Sequence, residues 1–445
     1  MIAQIKRIGP VLLIVAISVS PRIPMGIAIP GRRFDLRVED IILTVLLLSW
    51  LLHLLLRLHI YPTPLFKAIG IYVMIVFFTT STALVTLDLS LIRSSFYLLK
   101  EIEYFLIFFL IANWIRSVSD LKLMSGFLLF SGLLNAIWVG FQFITSQSRS
   151  LFLVERELSG DVYQHSTLLE SYGPCLIGES SPLSTGGFFM LVFLLTLSFY
   201  LFSRAGNRRW LYVVLCVMFS ASLALSFSRV SMICAIIGVL ILLNQCNLKR
   251  KIKIIPILII ILVVAVLMMD QLGYLGEGGR LSYAGINNSF VERLQGIWLP
   301  LLHQQSVSSL FLGFGKGALG TLRGLEATEA HNHYLRVFLE SGLFGLIAFV
   351  WLLAMIIFLS TRVLKDGKLA ISKVIGGATL TATVGLSVAA LFQDVFTPVV
   401  LNELWWVLIG LTAAAYRIEF SGSFYKCASQ CEAQGVVGSH ESKGG

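Results

Sequence analysis

Charge is the scarcest feature of this sequence. Asp, Glu, Lys and Arg together make up 13% of the 445 residues, about half the share of an average soluble domain, which excludes a water-exposed globular surface over most of the chain. Cysteine is sparse and scattered. Cys175, Cys216, Cys234 and Cys246 stand alone, and Cys427 and Cys431 form a CxxxC with no second pair near it. Neither a zinc site nor a disulfide framework follows from that spacing. There is no internal repeat. No small-residue cleavage site follows the apolar run behind Lys6 and Arg7, so the first thirty residues read as a first helix rather than a removable leader.

What the sequence has in abundance is hydrocarbon. Hydrophobic residues make up 57% and the mean hydropathy is +0.85. Apolar runs near the ~20 residues needed to cross a bilayer recur along the chain. The chain therefore reads as an all-α polytopic membrane protein with about twelve transmembrane helices. They are Ile8–Ala28, Glu39–Leu58, Leu65–Leu87, Ser95–Ile115, Leu121–Thr145, Pro182–Phe202, Trp210–Leu225, Val230–Asn244, Ile254–Met269, Gly342–Ser360, Ala370–Leu391 and Pro398–Ala415. A net charge of +10 would suggest a nucleic-acid partner in a soluble protein. Here Lys and Arg cluster in alternate short loops, so the charge is topogenic and no nucleic acid is implied. Arg57 and Lys67, Arg116 and Lys122, Arg204 to Arg209, Lys249 to Lys253, Arg362 to Lys368 and Arg417 mark one side. The positive-inside asymmetry makes that side, and both termini, cytoplasmic. Two long loops, Ser146–Ser181 and Asp270–Ser341, then face outward, the second just before the tenth span. The tail at 418–445 is Gly- and Ser-rich and expected to be disordered.

Some charge falls within the spans, where it is expensive unless paired or wet. Lys100 and Glu103 are three apart and can share a helix face. Arg22, between Pro21 and Pro24, suggests a broken first helix with its charge near the outer face. Asp40 opens the second span, where a helix N-terminus favours it.

The outer loops hold the residues with chemical options. Arg229, in Ser226-Phe-Ser-Arg229-Val-Ser231, lies at an outward surface and reads either as functional or as a snorkelling interfacial arginine. Arg293 lies in the amphipathic stretch Glu292-Arg293-Leu-Gln-Gly-Ile-Trp298 and can pair locally with Glu292 or Gln295. His331 and His333 open a helical run. Two positions apart they do not share a helix face, so they make a poor metal site, and they read as a base and its neighbour or as polar helix-start residues. The outer loops contain no DxD-like carboxylate cluster, so no catalytic metal and no cofactor are expected.

These residues carry a resemblance. His331-Asn332-xx-Leu335-xxxx-Glu340-x-Gly342-xx-Gly345 resembles the signature of the O-antigen ligase/polymerase family, bacterial membrane glycosyltransferases of the GT-C type. Arg293-xxxx-Trp298, Leu312-Gly-x-Gly315 and Ser228-Arg229 resemble its further marks, and the likeness is specific from about 182 to 357. It implies a single transmembrane glycosyltransferase domain over 1–417, with an outer catalytic loop at 270–341, in the bacterial inner membrane. It implies an undecaprenyl-diphosphate-linked glycan as donor. The acceptor hydroxyl belongs to the lipid A core in ligases and to another lipid-linked repeat unit in polymerases, and transfer inverts the anomeric carbon at the periplasmic face. His331 then corresponds to the catalytic position and Arg229 and Arg293 to diphosphate-binding positions, with His333, Glu340 and Trp298 in support. The chemistry agrees with the residue types. A diphosphate leaving group develops negative charge that fixed cations stabilise, arginine presents a permanently charged planar fork, and histidine is the side chain whose charge changes near neutral pH. The competing class is a lipid-linked glycan flippase or other secondary transporter. Such proteins often show two similar halves with interrupted spans, and the single late outer loop of this chain favours the enzyme.

Overall fold

The structure, a computed structural model, describes residues 2–19, 22–29, 32–57, 63–87, 89–145, 175–177, 182–203, 209–226, 228–245, 291–319 and 330–437. The expected ninth span Ile254–Met269, nearly all of the first outer loop, and 270–290 and 320–329 of the second lie outside the described residues, as do Cys246 and the basic residues Arg204, Arg208 and Lys249 to Lys253.

Among the described residues the chain is helical apart from one hairpin. Helix α1 (Ile2–Val19) leads into antiparallel strands β1 (Arg22–Ile29) and β2 (Arg32–Arg37). There follow α2 (Val38–Arg57), α3 (Phe66–Thr86), α4 (Leu91–Trp114), α5 (Val118–Thr145), α6 (Pro182–Phe202), α7 (Arg209–Leu225) and α8 (Arg229–Asn244). A π-helical turn at Leu294–Trp298, α9 (Leu299–His303) and α10 (Val307–Leu312) precede α11 (His333–Asp366), α12 (Ala370–Ala389) and α13 (Val399–Val437). The hairpin corrects the expected first span. Helix α1 stops at Val19, and the apolar run Ile23–Ala28 with Arg22 is strand. Pro24 cannot supply a helical amide, and it sits where the strand register shifts. Helical backbone also continues past Arg417 to Val437.

Among the described residues, six helices are long and apolar enough to cross a membrane: α3, α5, α6, α11, α12 and α13 as far as Phe420. Helices α6, α12 and α13 form the centre, with 83%, 78% and 89% of their spanning stretches buried, whereas α3, α5 and α11 bury only 39% to 44%. The outer faces stay apolar, with Met74, Phe78, Ile144, Ile236 and Phe358 all exposed. That is the inverse of a soluble helix bundle and suits a hydrocarbon surround.

Helix α11 is two helices joined at a kink. Gly342, at φ 65° and ψ −167°, breaks it. The break frees the carbonyls of Leu339 and Glu340, which accept hydrogen bonds from the amides of Phe314 (2.7 Å) and Gly315 (2.8 Å). Gly313 and Gly315 also have positive φ. A β-carbon at 342 would lie 2.1 Å from the Phe311 carbonyl oxygen, and one at 313 would lie 2.6 Å from the Glu340 backbone. The two glycine motifs noted in the sequence thus meet face to face, and only hydrogen fits between them.

Candidate functional site

The site is built where the start of α11 meets the short loop between α12 and α13. His331 has a left-handed backbone, φ 50°, which is uncommon for a residue with a side chain. Asp394 holds it there, because one carboxylate oxygen accepts the amides of Ala330 (3.1 Å) and His331 (3.3 Å). Asn332 then caps α11, its side chain accepting the Leu335 amide at 3.0 Å. The Trp298 indole donates to the Ala330 carbonyl at 2.8 Å. The His333 amide donates to Ala390 at 2.7 Å, and the Tyr334 hydroxyl to Ser387 at 2.8 Å. His331 itself is half-buried, and its backbone is held by Asp394, by the Asn332 cap and by the Trp298–Ala330 hydrogen bond.

The two arginines arrive from other elements. Arg229 is the first residue of α8, whose N-cap is Ser228. Arg293 precedes the π-turn, and its guanidinium donates to the Phe392 carbonyl at 2.8 Å, in place of the local pairing with Glu292 or Gln295 weighed from the sequence. Burial lowers the Arg293 pKa, the positive charge of Arg229 lowers it further, and Asp394 works against both. Arg229, Arg293 and the Asp394 that fixes His331 therefore share one electrostatic neighbourhood.

No protein-family model and no curated protein matches the chain.

His333 and Glu340 sit elsewhere. The His333 ring is buried between Phe349 (5.3 Å) and Phe396 (5.0 Å). Glu340, 1% exposed, is the hub of a buried ion network. Lys316 lies 3.0 Å from Glu340 and 2.8 Å from Glu101, and the Tyr72 hydroxyl donates to Glu101 at 2.7 Å. Arg336 lies 3.3 Å from Glu340 and 3.7 Å from Asp394. Burial pulls the Lys316 pKa down, but Glu101 and Glu340 outweigh it and hold it above the ordinary value. The network ties the glycine loop, α3, α4 and α11 to Asp394, and through it to His331.

A second network lies alongside. Lys100 reaches Glu103 at 2.9 Å, as their spacing predicts, and also Asp40 at 2.9 Å and Glu403 at 3.2 Å. Asp40, Glu103 and Glu403 form a group of three carboxylates close enough to share a metal ion, but the Lys100 ammonium lies within hydrogen-bonding distance of all three. A cation would have to displace it.

Proposed function

We propose that the protein is a membrane glycosyltransferase that moves a glycan from a polyprenyl-diphosphate carrier to an acceptor hydroxyl at the outward face of a bacterial inner membrane, as an O-antigen ligase or an O-antigen or exopolysaccharide polymerase. The observation that carries this reading is the half-buried His331, its backbone held by Asp394, a carboxylate whose charge acts on Arg293 together with that of Arg229. His331 is the general base that takes the proton from the attacking hydroxyl. Arg229 and Arg293 meet the charge that builds on the departing diphosphate, and a dianion between them would relieve the repulsion between the two guanidiniums. No metal or cofactor enters this scheme.

The deciding experiment is glycan joining by the purified protein in detergent, supplied with preloaded lipid-linked donor and acceptor and with EDTA present. Joining supports a transferase, and a flippase would produce none. The second reading, a transporter, draws on the charges within the helices, buried Glu403 and half-buried Lys100 and Asp40 among them. In the same assay Arg229→Lys and Arg293→Lys are each expected to lose at least about tenfold in rate, because a point charge does not replace a planar fork. Normal rates in both would remove the arginines from the diphosphate site. Glycan analysis of a deletion strain separates the subclasses: polymer stranded on its lipid carrier marks a ligase, single repeats a polymerase.

The proposed topology has about twelve spans and cytoplasmic termini. A cysteine at Ser308 is expected to react with an impermeant maleimide in intact spheroplasts, and one at Gly206 or Asn247 is not. The opposite pattern would put His331 on the wrong side of the membrane for this chemistry.

A further inference from the structure

A cavity of about 380 Å³ lies beside the His331 corner, between α2, α3, α4, α11 and α13. Its volume is that of a small-molecule site. Its wall includes His333 and Arg336, so it adjoins the residues that hold His331. Three features of the wall define what it can take.

The first is charge. Every lysine and arginine on the wall already has a carboxylate: Lys100 has Asp40 and Glu103, Lys316 has Glu101, Arg336 has Glu340 and Arg37 has Glu39. An anionic guest would have to break these pairs, and a cationic one would meet the same obstacle from the other side. The guest is neutral. The second is aromatic surface. Tyr72, Tyr104, Phe349, Phe396, Trp405 and Trp406 present rings to the space, and the negative face of an aromatic ring attracts polarised C–H groups. The third is unmet hydrogen bonding. His333 and Asn402 belong to the wall, and His333 Nδ1 and Asn402 Oδ1 are buried just behind its surface and make no hydrogen bond among the described residues. Such atoms are expensive to leave dry. A guest with an apolar C–H face and a rim of hydroxyls satisfies all three. Leu99 is also on the wall and is 65% exposed on the flank of α4, so the cavity reaches the lipid-facing side of the bundle.

We propose that this cavity binds one neutral sugar ring of a lipid-borne glycan, entering past Leu99. Assigning the ring to a substrate of transfer rests on the function proposed above; sugar binding itself does not. The test is saturation-transfer NMR on the full chain in phosphatidylcholine nanodiscs, with methyl β-glucoside, methyl β-galactoside and methyl N-acetyl-β-glucosaminide as probes. At least one is expected to bind saturably with a Kd on the order of millimolar. Asn402→Leu removes the unmet acceptor, and Leu99→Trp narrows the mouth from an exposed position that the fold tolerates. Each is expected to weaken binding about tenfold. No saturable signal from any probe, or equal signals in both variants and the wild type, would overturn the proposal. Displacement of the glycoside by inorganic pyrophosphate would overturn it too, by making the cavity an anion site. Glycoside binding without glycan joining sinks the transferase and leaves the sugar site. Joining without glycoside binding does the reverse.

Discussion

His331→Ala is expected to lower glycan transfer by about 10²–10⁴-fold, the range that follows loss of a general base, while the protein still inserts and folds. The second half of that expectation comes from the geometry. The backbone at 331 is held by Asp394 through two amides and by Trp298 through the Ala330 carbonyl, and none of these contacts uses the imidazole. Alanine in a left-handed conformation costs about 1–2 kcal/mol, so His331→Asn is the better control. Asparagine tolerates positive φ and cannot act as the base, and it is expected to be as inactive as alanine at wild-type stability. A pH–rate profile tells the base from a binding role. A base loses activity as acid protonates the imidazole, whereas an imidazolium that binds phosphate loses it as alkali removes the proton. His333→Ala is expected to act on stability first, since that ring is packed between Phe349 and Phe396. An inactive but folded His333→Ala beside an active His331→Ala would reverse the assignment.

Much of this corner was legible in the sequence because its signals are local. A polar loop that turns into a helix at His331-Asn332 announces a cap, and Asn332 is one. Glycines at 313, 315 and 342 announce conformations that side chains resist, and the two motifs prove to be halves of one contact. What could not be read is pairing across the chain. Asp394 lies 63 residues from His331 and bonds to its backbone, so it leaves no pattern in the stretch it organises. The only hint was a lone acid in a short loop without basic residues. Lys100 and Glu103 were legible as a pair at helical spacing, but Glu403 is 303 positions away from the same ammonium. The hairpin was missed because its first strand is apolar enough to pass for the end of a span, and two prolines were read as a kink instead of a stop.

Glu340→Ala is expected to destabilise the folded protein by about 3–5 kcal/mol, the usual consequence of stripping one partner from a buried ion pair, read as a large fall in melting temperature in detergent. Full burial is what makes the effect large, because an exposed pair of the same geometry would contribute about 1 kcal/mol or less. Glu340 is the counter-ion of both Lys316 and Arg336. Without it Arg336 retains Asp394, at a longer 3.7 Å, and Lys316 retains Glu101 at 2.8 Å, so each cation loses one of its carboxylates. The sign of the pH dependence follows from Lys316. Its pKa is raised on folding, so the stabilisation it contributes is complete below its unfolded value and fades only as pH climbs through the folded one. In the wild type that contribution is therefore flat across the neutral range. The partner variant Lys316→Met leaves Glu101 and Glu340 facing each other across a buried space. Combining it with Glu340→Ala removes both charges and is expected to lose less than the sum of the single changes, with a coupling of about 0.5–3 kcal/mol. Strict additivity would mean that the ion pair does not help to dock the glycine loop, which then rests on contacts such as the Phe314, Gly315 and Lys316 amides. Coupling would mean that the ion hub joins the glycine loop to the start of α11, where Glu340 connects to the His331 backbone through Arg336 and Asp394.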